Sequence, residues 1–456
     1  MAQNIENITK TIDFSKEIGK IKPMHATGCG PVQRFDFSWD ISNYFRAMNI
    51  PYSRLHDIEY PFGSGQFVDI HCVFPDFDAD ENDPKSYYFT STDIYLKAMM
   101  DVGCKPFYRL GESIDHTPNK RFIHPPKDFK KWARVCEHII RHYNEGWADG
   151  FYYDIEYWEI WNEPDSYLPG YNKVNMWTGT KEQYFELYRI TSHHLKNCFG
   201  DKIKVGGYSC CNLNALIDEV QSERGMHLLN WANDFLDYIS AEDTKSPLDF
   251  FSYHNYFNDP KIPYKYNNAV REFVDSKGFS DAEIIFTEWN IGGHLTHAEI
   301  MDVNYAADLA YIFLSSQKSA TDMMMYYFFS RVARYNRVIG PDYEVYPAFY
   351  SFCMFGKLYE LGTEVESGEY DPDSDVAMIA AKNDKQAGIA FANVSTEAKE
   401  LNLTFKGLEK YEKFTVYIMD KDRSPSVPTP FYVGSIKDGL HMKLTGRNSI
   451  GFIAFE

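Results

Sequence analysis

From about residue 20 to about residue 358, short apolar runs alternate with longer amphipathic ones. The runs that read as strands are "HATGC" near 25, "YSRLH" near 52, "PFYRLG" near 106 and "YWEIWN" near 157. They continue with "IKVGGYS" near 203, "DFFSYHNY" near 249, "EIIFTEWN" near 283 and "MMMYYFFS" near 323. The segments between them carry helical spacing. "FKKWARVCEHIIRHY" places Phe129, Trp132, Val135, Cys136, Ile139 and Ile140 on one stripe. "TKEQYFELYRITSHHLKNCFG" opens on Thr180 as a cap and has Gly200 just past its end. Eight strands separated by helices predict an α/β protein built on a (β/α)₈ TIM barrel rather than an open sheet.

The pattern changes near residue 360. "VAMIAAKND", "AGIAFANVS", "KELNLTFKG", "KFTVYIMD" and "NSIGFIAFE" are short, partly alternating runs between turn residues, as in an antiparallel β-sandwich. "TKTIDFSKEIGKI" near the start also reads as extended. The expected organisation is residues 1–20 as strand joining the sandwich, 21–358 as barrel and 359–456 as accessory sandwich.

At 456 residues and 44% hydrophobic content the chain suits one large domain plus a smaller one. Aromatic residues make up 17%, which fits either a large aromatic core or rings lining a sugar site. The net charge of −19, without a basic stripe, excludes a nucleic-acid backbone as partner and fits an enzyme acting on neutral or weakly charged substrates. "MAQNIENITK" has no signal-like apolar run, and no window approaches a membrane span. The expected location is cytoplasmic, or periplasmic or secreted if a leader has been removed. Homo-oligomerisation stays open. The eight cysteines are scattered without metal spacing and are expected to be reduced thiols.

Two apolar strands end on a carboxylate. Glu163 follows the fourth and Glu288 the seventh, each beside a Trp and an Asn: Trp161 and Asn162, Trp289 and Asn290. A core has no use for such charges, although two strand-end glutamates in structural salt bridges would look the same. In a barrel, catalytic groups come from the C-terminal ends of strands. Strands four and seven lie nearly opposite one another, so the two carboxyls can face one bond. Glycoside hydrolysis needs such a pair: one carboxyl protonated for the leaving group, the other ionised. A separation of roughly 5–5.5 Å implies a covalent intermediate and retention, and roughly 6.5–9.5 Å implies inversion.

"WNEP" and "TEWN" resemble the retaining glycoside hydrolases of the large barrel clan. "SRLHDI", "YYFTSTDIYLKAMMDVGCKPFYRLG", "EYWEIWNEPD", "DFFSYHNY" and "FTEWN", with a terminal sandwich, are most similar to glycoside hydrolase family 39, the family of β-xylosidases and α-L-iduronidases. The resemblance runs from about residue 20 to the end. It implies Glu163 as general acid/base, Glu288 as nucleophile and Asn162 as the donor to a sugar 2-hydroxyl. Arg54 would keep Glu288 ionised. His56, His254 and Tyr256 would hydrogen-bond the nucleophile or line the sugar pocket, and Trp289 would form an aromatic floor. The implied function is a retaining exo-glycosidase, β-xylosidase-like in the first instance, acting on an oligosaccharide or glycoside without metal or cofactor. Exo action also follows from the long loop at 60–90, which can close one end of a cleft. The alternatives are a related glycosidase for a uronic acid such as iduronate or an arabinose- or galactose-containing unit, an endo-acting barrel hydrolase, and a non-catalytic carbohydrate-binding protein.

Two signals point elsewhere. "DFDADENDP" has Asp76, Asp78 and Asp80 at calcium-loop spacing, but Glu81 stands where the loop needs glycine, so it reads as an exposed acidic loop. "SRVARYNRVIG" after the eighth strand carries Arg331, Arg334 and Arg337, where the resemblance leads one to expect an acidic residue holding sugar hydroxyls. With Arg109 these arginines can read a carboxylate bidentately, or simply form salt bridges.

Overall fold

The computed structural model describes residues 5–32, 39–58, 67–114, 120–166, 176–293, 295–329, 336–444 and 448–456. Eight parallel strands close into a barrel: β2 (Ala26–Gly28), β3 (Tyr52–Arg54), β4 (Lys105–Leu110), β5 (Tyr157–Ile160), β6 (Lys204–Cys210), β7 (Phe250–Phe257), β8 (Glu283–Ile291) and β9 (Met323–Tyr326). These are the eight apolar runs, and the protein is a (β/α)₈ barrel with an accessory β-sandwich. The helix Phe129–Glu145 buries the stripe the spacing defines. Asp128 caps it by accepting from the backbone N–H of Lys130 and Lys131. Thr180 and Gln183 form a reciprocal capping box at the start of Lys181–Phe199.

The barrel's interior follows the two-residue period of its strands. Ala26, Phe107, Tyr157, Phe250, Ile285, Met323 and Met325, with Tyr52 against them, form a small core of their own. Side chains from so many strands can meet only inside the barrel, so they seal its lower half. On β6 the matching position is Gly206, where a Cβ would stand 2.2 Å from the carbonyl oxygen of Phe250. Two residues further along the strands come Arg54, Arg109, Glu159, Ser252 and Thr287, all buried and all polar. The floor is apolar and the layer above it is polar, and that layer supports the mouth.

The second sheet has nine strands in the order β15-β14-β17-β12-β11-β10-β1-β13-β16. Its members are β1 (Glu6–Lys20), β10 (Thr363–Glu366), β11 (Val376–Lys382), β12 (Ala387–Asn393), β13 (Lys399–Lys406), β14 (Lys413–Asp420), β15 (Ser424–Ser435), β16 (Leu440–Leu444) and β17 (Ser449–Phe455). Strand β1 pairs antiparallel with β10 but parallel with β13, which makes the sheet mixed rather than purely antiparallel. Alternating residues such as Ile12 and Phe14, Leu401 and Leu403, and Leu440 and Leu444 fill its separate core. The helices Val303–Gln317 and Ala348–Leu361 lie between this sheet and the barrel, and Val303–Gln317 is buried over most of its length. No helix among the described residues is long and apolar enough to cross a membrane. The eight cysteines are free thiols.

Candidate active site

Three local departures from regular strand geometry build the site. At the end of β5, Trp161 (φ 75°) and Glu163 (φ 43°) take left-handed backbone conformations. Each costs about 1–3 kcal/mol for a non-glycine residue and persists only where packing over-determines it. Here the packing is dense. Trp161 is buried, donates its indole N–H to the carbonyl of Met176 at 2.8 Å, and stacks edge-on against Trp177. Gly111 faces its backbone, where a Cβ would stand 3.2 Å from the Trp161 Cα. The Glu163 N–H donates to the carbonyl of Ser209 at 3.0 Å, and the buried Asp165 carboxylate accepts from the Cys211 N–H at 3.2 Å. The chain thus turns out of the strand and aims Glu163 across the mouth.

On β8 the register against β7 slips by one residue, so that Tyr253 pairs with Phe286 and His254 with Glu288. The extra residue, Thr287, forms a bulge. It lets Thr287 and Glu288 both face inward. Trp289 then points outward, where it packs edge-on against Phe313 and Tyr326 and is fully buried. The expectation of Trp289 as an aromatic floor is therefore corrected: the bulge that turns Glu288 into the mouth turns the next side chain into the layer between strands and helices. A similar slip on β6 turns Ser209 (φ 59°) inward.

One carboxylate oxygen of Glu163, one of Glu288 and a ring nitrogen of His254 all lie within 4.8 Å of one another. His254 Nδ1 is 2.8 Å from Glu163 Oε1, and its Nε2 is 2.6 Å from Ser209 Oγ and 3.1 Å from Thr287 Oγ1. Arg54 is fully buried and holds four acceptors. Its Nε donates to Glu159 at 2.7 Å and its Nη1 to Glu288 at 2.8 Å. Its Nη2 donates to Asn162 Oδ1 at 2.6 Å and to Ser209 Oγ at 2.8 Å. The Tyr256 hydroxyl donates to the other oxygen of Glu288 at 2.9 Å. His56 places Nε2 3.7 Å from Glu288 Oε1. The Nδ2 of Asn162 is buried without a hydrogen-bond partner among the described residues.

The electrostatics divide the two carboxyls. Burial pushes both up from the ordinary carboxylate range. The Cys211 thiol beside Glu163 opposes that shift only in part. Burial also pushes His254 down to about 4, so it is neutral near pH 7. Arg54 is then the cation in direct contact with Glu288. The contact with the guanidinium favours the ionised form of Glu288, while the group touching Glu163 is a neutral imidazole.

The remaining expected residues fall in different places. Arg109 is fully buried, ion-paired to Asp69, and donates to Ser113 Oγ at 2.7 Å. It is an internal strut rather than a free reader of a substrate carboxylate, because the strand alternation sets it directly above Phe107, inside the barrel. Arg331 and Arg334 lie outside the described residues, as do residues 59–66 of the long loop. Arg337 lies beside Tyr346. In the acidic loop, Asp78 pairs with Lys127, and Glu81 with Arg134 and Lys131.

The sequence reading missed Glu159 and Ser209. Glu159 left a signal, since a charge two residues before Trp161 in an apolar strand must have a buried partner. Ser209 left none, because only the bulge turns it inward.

The sequence profile of Glycosyl hydrolases family 39 matches residues 10–343, and the chain belongs to that family. It is 28% identical over 217 residues to a β-xylosidase of Geobacillus stearothermophilus, across 45% of this chain and 37% of that protein. It is 25% identical over 264 residues to a β-xylosidase of Caldicellulosiruptor saccharolyticus, across 55% of this chain and 46% of that one. The chain thus spans less than half the length of the curated relatives it matches. Among solved structures, a glucosidase from Croceicoccus marinus superposes with a TM-score of 0.77 at 20% identity, over 98% of this chain and 99% of that one. A monomeric β-xylosidase from Caulobacter crescentus gives 0.66 at 16% identity, over the same shares of each chain. At these identities the likeness is one of fold.

Proposed function

We propose that this chain is a retaining exo-glycosidase, β-xylosidase-like in its substrate class, which works through a covalent glycosyl-enzyme. The observation that carries the reading is the facing pair: one carboxylate oxygen of Glu163 and one of Glu288 lie within 4.8 Å, and of these two carboxyls only Glu288 is ion-paired to Arg54. Inversion needs roughly 6.5–9.5 Å between the carboxyls to admit water between carboxylate and sugar.

In the first step Glu288 attacks the anomeric carbon while Glu163 gives its proton to the departing oxygen. Tyr256 and Arg54 each hold one oxygen of Glu288, which fixes the orientation of its carboxylate. Forming the ester removes the charge of Glu288, so Glu163 loses a proton more readily and serves as base toward water in the second step. His254 suits both states of Glu163, since Nδ1 accepts from the acid and, as N–H, donates to the carboxylate. The Arg54 cluster holds one cation against Glu159 and Glu288, and its net negative charge favours the positive charge that develops on the sugar ring. The amide N–H of Asn162, buried without a partner among the described residues, would donate to the 2-hydroxyl, a bond that strengthens as that charge grows. With Arg109 already paired to Asp69, a neutral xyloside comes before a uronate as the first substrate class. The family resemblance and the long loop support exo action.

The test is a panel of aryl glycosides, β-xyloside and uronate included, with the anomeric product followed by nuclear magnetic resonance. Hydrolysis with the substrate's own anomer formed first is the expected outcome. An inverted first product rejects the covalent mechanism, and no hydrolysis of any member favours a carbohydrate-binding protein.

A further inference from the structure

The helices Phe129–Glu145 and Lys181–Phe199 stand on either side of β5 in the chain and pack against each other. His194 and Cys198 lie one turn apart near the end of the second helix. That end is remote from the mouth, because the helix leaves the mouth after β5 and runs back to the start of β6. Glu137 faces them from the first helix. His194 Nε2 is 2.6 Å from Glu137 Oε2 and 3.9 Å from Cys198 Sγ, so one imidazole nitrogen meets both partners. A carboxylate oxygen, a ring nitrogen and a sulfur all lie within 4.8 Å of one another. The three side chains are neither sealed in nor fully exposed, with His194 at 30% and Glu137 at 15%. The other oxygen of Glu137 accepts from Arg141 Nε at 2.8 Å. Arg141 also pairs with Glu145 and lies over the ring of Phe199, 5.1 Å from its centroid.

We propose that Glu137, His194 and Cys198 form a zinc site that ties these two helices together, with water as the fourth ligand. The proposal goes beyond the glycosidase reading and does not depend on it. Thiolate, imidazole and carboxylate are the donors zinc takes in proteins, whereas magnesium and calcium take oxygen. Of the three places among the described residues where such side chains converge, this one alone includes a sulfur. In a tetrahedron with Zn–S of about 2.3 Å and Zn–N and Zn–O of about 2.0–2.2 Å, donors stand about 3.3–3.6 Å apart. From the observed distances, nitrogen and oxygen must separate by about 0.7 Å, and nitrogen and sulfur must close by about 0.3 Å. Side-chain torsions supply shifts of that size. Arg141 holds Glu137 from its other oxygen, as outer partners orient carboxylates on metals. On binding, the thiol gives its proton to solvent, and the imidazole donates the Nε2 lone pair with its N–H at Nδ1. Glu137, Glu145 and the thiolate then face the single positive charge of Arg141, which leaves the surplus negative charge a divalent ion neutralises. Local spacing does not show the site, because Glu137 stands 57 residues from His194.

The experiment titrates zinc, and cobalt as its coloured substitute, into the whole chain after metal is removed by chelation. One zinc is expected to bind with a Kd of about 1 µM or below, weaker than a closed four-ligand site. Cobalt should give a thiolate-to-metal charge-transfer band in the near ultraviolet. Cys198→Ala should abolish that band. Cys198→Ala and His194→Ala should each weaken zinc at least about 100-fold, since a ligand matters more than an outer partner. Zinc should raise the thermal midpoint of the wild type and not of Cys198→Ala, because an ion held only by the folded chain stabilises it. Two controls should keep both band and affinity: Cys72→Ala, whose thiol lies beside His71, and Glu288→Gln, which removes a carboxylate at the mouth. If Cys198→Ala fails to fold, His194→Ala carries the test. A wild type that binds zinc no more tightly than about 100 µM overturns the proposal. So does a band that survives Cys198→Ala or vanishes in either control, or a change below about 5-fold in His194→Ala.

Discussion

Replacing Arg54 with methionine tests the electrostatic core of the site most directly. Methionine fills much of the space of the aliphatic stem but removes the guanidinium that serves Glu159, Glu288, Asn162 and Ser209. All of these groups are buried. Removing one partner of a buried ion pair costs about 3–5 kcal/mol, because the other charge is left without compensation. Arg54 has two carboxylate partners, so the cost belongs at or above the top of that range. Total stabilities of about 5–15 kcal/mol make this a large loss, readable by urea denaturation. The pH dependence gives the decisive sign. Burial already raises Glu288, and loss of Arg54 raises it further. A carboxyl whose folded value lies above its unfolded one contributes stability that is present below the unfolded value and is lost as pH rises through the folded value. The gap between wild type and variant should therefore be widest near pH 8 and shrink toward pH 5. Over the same range the acid limb of kcat/KM should move to higher pH, since attack needs ionised Glu288. Arg54→Lys, with one nitrogen for four acceptors, should fall between the two. A variant within about 0.5 kcal/mol of wild type, the scatter of an inert substitution, refutes this account, as does a gap that widens on acidification.

Glu288→Gln should lower kcat on every substrate by at least about a thousandfold, and appreciable residual turnover removes it as nucleophile. Glu163→Ala should still release good aryl leaving groups, and added azide should appear in the product as a glycosyl azide; no azide product and no rate gain would remove its acid/base role. Tyr256→Phe loses one hydrogen bond to a charged carboxylate, worth about 1.5–3 kcal/mol, so kcat should fall about 10- to 100-fold while the thermal midpoint barely moves. Gly111→Ala places a Cβ 2.9 Å from the Trp161 ring at φ +124°; it should destabilise by about 1–3 kcal/mol and slow turnover by shifting the backbone that aims Glu163, and an unperturbed kcat would show that the turn is set elsewhere.

The parts legible in the sequence were those written in local periodicity. The eight apolar runs, the stripe on Phe129–Glu145 and the Thr180 cap needed only a few neighbouring residues each. The two strand-end glutamates were legible for the same reason, because a charge closing an apolar strand breaks a local rule. Arg54 was legible as a partner for Glu288 through the family resemblance. Its second carboxylate, Glu159, is 105 residues away, and nothing local links the two.

The side chains that refine the site were decided in three dimensions. Trp289 and Glu288 are neighbours in the chain, yet a one-residue slip between β7 and β8 sends one into the mouth and the other into the packing behind it. Register slips of this kind follow from how strands twist and close into a barrel, a property of the whole ring and not of any run within it. Arg109 likewise looks free in the sequence and meets Asp69, 40 residues earlier, only in the folded barrel. Sequence alone determined which elements form and where charge interrupts them, because burial rewards periodicity locally. Only the tertiary structure decided which charges meet, since pairing among residues a hundred or more positions apart depends on barrel closure and strand register.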